Sequence, residues 1–110
     1  GNYAVRQALI NQGYRLREER IVFDKNRFYE AIYLSKRADQ PLVETGQQMW
    51  NWADPVHRDY WHRTVGHYQQ KAKKDPAQFL PIIKRYELLR DSISQTGQHP
   101  TTASTLLPAS

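Results

Sequence analysis

The chain has 110 residues, a mass of 13.0 kDa, a net charge of +5 and a sequence pI near 9.6, so it suits one domain or part of one with a modest core. It has no cysteine, which excludes a disulfide framework and a thiol nucleophile, and it has no apolar run approaching the ~18 residues of a membrane span and no signal-peptide pattern. The basic balance, with three Trp and seven Tyr, attracts phosphate backbones and equally acidic lipid surfaces, and the composition fits a reducing cytoplasm.

From Tyr3 to Gln12, Val5, Ala8, Leu9 and Gln12 recur at helical spacing, and Gly13 is the residue best suited to a left-handed C-terminal cap. A short helix is expected. Two apolar runs follow, roughly Arg15 to Phe23 and Phe28 to Ser35, around the polar Asp24-Lys25-Asn26-Arg27, which is the pattern of a β-hairpin. In the second run Phe28, Glu30, Ile32 and Leu34 alternate with Tyr29, Ala31, Tyr33 and Ser35, and apolar bulk on both faces predicts that both are covered. Two strands alone are marginal in water, so the hairpin is expected to belong to a larger sheet or to lie against helices.

Residues 37–53 form a connection whose Met49, Trp50 and Trp52 are too apolar for a solvated linker. Asp54-Pro55 and Asp75-Pro76 each supply an N-cap followed by proline at the first helical position. They announce helices over about Pro55 to Lys73 and Pro76 to Ser94. Trp61, Val65, Tyr68 and Ala72 on the first, and Phe79, Ile82, Ile83, Tyr86, Leu89 and Ile93 on the second, make facing seams of an antiparallel helical hairpin. Pro81 falls in the first turns, where it does least harm. Residues 95–110 are polar, small and Pro-containing, and are expected to be a disordered tail.

The five glycines are scattered and form no phosphate loop behind a strand. His57, His62 and His67 are five apart, which spreads them around a helix rather than along one face and predicts no metal site. Glu18 and Glu19 point to opposite faces of a strand, so no catalytic pair is expected. The basic residues are more suggestive. Arg63, His67, Gln70 and Lys74 make an outward stripe, Lys71 and Lys73 crowd the same end, and Lys84 and Arg85 lie on the second helix. Interspersed Asp59, Asp75, Glu87 and Asp91 also fit an ordinary solvated face, so the stripe is weighed as a phosphate-contacting surface against that plainer alternative.

The run from Val5-Arg6 and Leu9 through Gly13-Tyr14, Glu19 with Ile21-Val22, and Tyr29-Glu30 with Ile32 resembles the end of the catalytic domain in bacterial tRNA adenine-N1 methyltransferases of the TrmK type. Gly46, Met49, Trp50 and Trp61 continue it at compatible spacing, with Gln47 where that family usually has proline. The resemblance spans residues 3 to about 94 and rests on order and spacing. It implies an α+β piece: residues 1–36 as the end of a Rossmann-like methyltransferase sheet, residues 37–53 as the connection, and residues 54–94 as a coiled-coil helical hairpin that helps hold tRNA through Arg63, Lys71, Lys73, Lys74, Lys84 and Arg85.

By the same resemblance the S-adenosylmethionine site and the catalytic residues belong to an N-terminal catalytic domain of the same polypeptide, so this chain would be inactive alone and hold no cofactor itself. The hairpin would be the cut end of a larger sheet, with an open edge that invites pairing. Two other classes are also consistent with the residues: a free-standing, non-enzymatic RNA-binding or protein-interaction module, and a purely structural adaptor whose helical hairpin binds a protein partner through Trp50, Trp52 and the seam edges.

Overall fold

The structure, a computed structural model, describes residues 2–98 and is an α+β chain with the order helix, strand, strand, helix, helix. It divides into two compact units between Trp50 and Asn51.

The first unit begins with α1, Asn2–Asn11. Gly13, at φ +89°, takes the left-handed conformation, its N–H donates to Ile10 O (2.9 Å) and the Tyr14 N–H donates to Leu9 O (3.1 Å). That pair of bonds is a Schellman closure, as the glycine predicted. The face differs from expectation. Tyr3 and Arg6 are buried, whereas Val5 and Ala8 are exposed. The apolar spacing identified the helix but not its inward side, because the strongest partners of α1 are two carboxylates on the hairpin.

β1, Arg15–Asp24, and β2, Arg27–Ser35, pair antiparallel from Arg15↔Ser35 to Asp24↔Arg27. Leu16 pairs with Leu34 and Glu18 with Tyr33, so Arg17 is an extra residue, a bulge. The bulge shifts the alternation, and β1 buries Leu16 and then Glu19, three positions on. Lys25 (φ 51°) and Asn26 (φ 62°) form the two-residue turn, with both central residues left-handed as a type I′ hairpin requires. Phe23 and Phe28 close it, their ring centroids 4.7 Å apart.

Lysine is a poor occupant of a left-handed position. Lys25→Asn with Asn26→Gly, the preferred pair for this turn, should raise stability by about 1 kcal/mol. A higher denaturation midpoint with an unchanged hairpin register by NMR is the expected result.

The expectation that both sheet faces are covered is not met. Tyr29 and Tyr33 are each about half exposed, and among the described residues no third strand pairs with β2. Phenolic hydroxyls let tyrosine face water, so aromatic bulk in a strand did not require a cover. Beyond β2 the chain turns back irregularly. Leu16 N–H donates to Gln40 O (2.8 Å), and Ala38, Leu42, Thr45, Met49 and Trp50 are buried, with the Trp50 indole donating to Thr45 O (3.1 Å).

The second unit is the expected helical hairpin: α2, Pro55–Ala72, and α3, Pro76–Gln98. Asp54 caps α2 by accepting from Val56 N–H (2.9 Å), and Asp75 Oδ1 accepts from Gln78 N–H (3.2 Å) at the start of α3. Trp61, Val65, Tyr68, Ile83, Tyr86 and Leu89 are buried along the seam, joined by Tyr60, which the seam pattern did not include. Tyr68 stacks on both Phe79 and Tyr86, at 6.1 and 5.9 Å between centroids. α3 also continues through residues 95–98, which the composition assigns to the tail; the rest of that expectation, residues 99–110, lies outside the described residues. Among the described residues no helix is long and apolar enough to cross a membrane.

Candidate functional site

All six expected phosphate-contacting residues, Arg63, Lys71, Lys73, Lys74, Lys84 and Arg85, are exposed. They do not form the single helical stripe read from the spacing. α2 ends at Ala72, Lys73 is its C-cap, and Lys74 lies in the turn, its N–H donating to Lys71 O (3.1 Å). Pro76 is the reason, since the residue before a proline is driven out of the helical region. Three lysines therefore gather where α2 turns into α3. Lys71 also leans on the core, its ammonium 5.4 Å from the centre of the Phe79 ring.

The other cations form a second group. The Trp61 indole donates to Tyr86 O (3.0 Å), which sets Arg63 level with Lys84 and Arg85, about 12 Å along α3 from its first residue at 1.5 Å per residue. Arg63 is partly neutralised by Asp59 one turn earlier, at 3.3 Å. Exposed i, i+4 pairs of this kind contribute only about 0.3–0.5 kcal/mol, so a phosphate can compete for that guanidinium.

The histidines are dispersed among packing tasks. His57 accepts the Asn51 N–H at Nδ1 (2.8 Å), which places its proton on Nε2, 3.7 Å from Asp54 Oδ2. His62 stands edge-on to Trp61 at 5.1 Å, and His67 lies 5.4 Å from Tyr68. Among the described residues no group of three or more His, Asp or Glu is arranged to hold a metal ion.

The first unit contains a buried ion cluster that composition and spacing did not reveal. Arg6 donates through Nη1 to Glu19 Oε1 (2.9 Å) and to Val43 O (3.0 Å), and through Nε to Glu30 Oε1 (2.8 Å). Its Nη2 reaches Met49 Sδ at 3.5 Å. The second Glu19 oxygen accepts three successive backbone N–H groups, from Gln47, Gln48 and Met49, at 2.8, 2.8 and 3.2 Å. Burial opposes the Arg6 charge, but Glu30 and Glu19 outweigh it and hold the guanidinium pKa above its ordinary value. The two carboxylates exceed the one cation, and the three N–H dipoles on Glu19 offset the surplus.

Gly46 is required beside this cluster. It sits at φ +74°, and a Cβ there would come within 2.5 Å of Met49 Cε and 3.3 Å of Arg6 Nη2. The cluster thus pins α1, both strands and the segment from Val43 to Met49 together. Every buried side-chain N and O atom in it has a hydrogen-bond partner, which suits a cluster that holds structure. Beside the resemblance, the sequence signal it leaves is a charged residue inside an otherwise amphipathic helix, with glutamates at inward strand positions.

Compared with protein-family models, curated proteins and solved structures, the chain matches none.

Proposed function

We propose that this chain is the C-terminal part of a cytoplasmic, S-adenosylmethionine-dependent tRNA adenine-N1 methyltransferase of the TrmK type, closing its Rossmann-like sheet and contributing a basic helical hairpin that contacts tRNA. One observation supports it above the others. Five of the residues that carry the resemblance, Arg6, Glu19, Glu30, Gly46 and Met49, are scattered over 44 positions of the sequence and meet in a single buried cluster, whereas Val5 and Tyr29 of the same motifs are exposed and Trp61 packs in the second unit. The open Tyr29–Tyr33 face and the outer edge of β2, which no strand covers among the described residues, also suit a hairpin that continues a larger sheet.

On this reading the cofactor and the adenosine are handled by the N-terminal catalytic domain, and the chain's own task is to hold RNA. Lys73, Lys74 and Lys84 are exposed and take no part in the seam, so replacing all three with glutamine should leave the helical hairpin folded. For every phosphate that a lysine no longer neutralises, the dependence of log affinity on log salt should flatten by about 0.7–0.9. Titration of tRNA against the parent and the triple variant at several salt concentrations measures this. Equal affinities and slopes would reduce the lysines to an ordinary solvated surface.

A further inference from the structure

We propose that a cavity at the foot of the β-hairpin, between Arg17 and Arg37, is a binding site for a phosphate group. It lies in the first unit and stands without the tRNA reading of the helical hairpin. At the end opposite the Lys25–Asn26 turn, residues 36–40 fold back over the start of β1 and border an open depression of about 210 Å³, lined by Leu16, Arg17, Arg37, Ala38, Asp39 and Gln40.

The walls are held in place by the backbone. Leu16 N–H donates to Gln40 O (2.8 Å), and the Arg15 guanidinium donates to both Ala38 O and Asp39 O (2.8 Å each). The Arg37 N–H donates to Ser35 Oγ (3.1 Å). Of the lining residues, Leu16 and Ala38 are buried.

Two of the lining residues are arginines, Arg17 and Arg37. Arg17 is the bulge residue, turned out of the strand ladder, and Arg37 follows the end of β2. Both are exposed, and neither side chain has a hydrogen bond or ion pair among the described residues. Asp39 is the one carboxylate among the lining residues.

Two arginines lining one small cavity suit the oxygens of a phosphate, which accept bidentate pairs from a guanidinium. The volume falls below the ~300–1,000 Å³ of pockets that enclose drug-sized ligands, so the site fits a phosphate with the adjoining part of its ester rather than a whole dinucleotide. The phosphate belongs either to an RNA backbone or to a small phosphate ester, and the chemistry of recognition is the same.

The test uses the full ¹⁵N-labelled chain, titrated with inorganic phosphate and with adenosine 5′-monophosphate at constant ionic strength set with chloride. The Nε–H signals of Arg17 and Arg37 and the amides of residues 37–40 should shift and saturate. In Arg17→Gln/Arg37→Gln the shifts should vanish while the rest of the hairpin spectrum stays in place. Asp39→Asn, which removes the opposing charge, should bind on the order of fivefold more tightly.

A third arm measures single-stranded RNA against salt. If the double variant lowers the slope by about 0.7 per arginine, the phosphate is a backbone phosphodiester. If RNA binding is unchanged while the phosphate and monophosphate shifts depend on both arginines, the ligand is a small phosphate ester. The proposal is overturned if none of the three probes gives a saturable response at this corner, or if the responses survive in the double variant.

Discussion

Replacing Arg6 with methionine is expected to cost the first unit about 3–5 kcal/mol, the range for breaking a buried ion pair by removing one partner. Methionine keeps most of the side-chain length but none of the charge. It takes the guanidinium away from Glu19 and Glu30, whose side chains are 0% and 3% exposed. It also removes the donor to Val43 O. Glu19→Gln should cost less, because its amide oxygen can still accept from the backbone of residues 47–49, and the double variant should cost less than the two singles added, since they share one interaction.

Arg6 titrates above its ordinary value, so the stability it supplies is complete below the unfolded-state pKa and is lost only as pH rises through the folded one. That window is strongly alkaline, so the Arg6 charge itself adds no pH dependence to stability between pH 6 and pH 8. Denaturant unfolding followed by hairpin amide signals measures all of this. A loss within 1 kcal/mol for Arg6→Met would mean that the cluster does not hold the segment from Val43 to Met49 on the hairpin.

The same cluster shows where sequence reasoning runs out. Local rules carried far: Gly13 announced its left-handed closure, two apolar runs announced the strands, and each Asp-Pro pair announced a helix start, because these depend on backbone conformation within four or five residues. Whether Arg6 points inward depends instead on Glu19 and Glu30, 13 and 24 positions away. A helix read for its apolar stripe assigns such an arginine to solvent.

The Arg17 bulge had no local signature either, yet it decides that Glu19 faces the interior. On the helical hairpin the six cations were legible as exposed, but their arrangement was not. An ideal helix carried past residue 72 would align Lys74 with Arg63, and the proline at 76 ends the helix first.

Trp61 is expected to be the side chain on which the second unit depends most. It is 3% exposed, its indole N–H donates to Tyr86 O at 3.0 Å, Trp52 meets its ring edge-on at 5.9 Å, and the Arg90 guanidinium lies 4.9 Å from its ring centre. Trp61→Ala removes the ring from all three and opens a cavity between α2 and α3, which for a buried tryptophan costs about 3–5 kcal/mol. Trp61→Phe should lose only about 1 kcal/mol of hydrogen bond plus some packing, because Tyr86 O keeps the bond that α3 itself supplies.

Thermal unfolding followed by helical circular dichroism separates the two variants, and a Trp61→Ala midpoint close to the parent's would show that the Tyr68 stack with Phe79 and Tyr86 closes the hairpin unaided. RNA binding by the folded Trp61→Phe protein adds the functional half of the test. Because the indole is turned into the seam, its affinity for tRNA should equal the parent's. A loss there with stability retained would move the RNA contact from the lysines at the turn to the tryptophans.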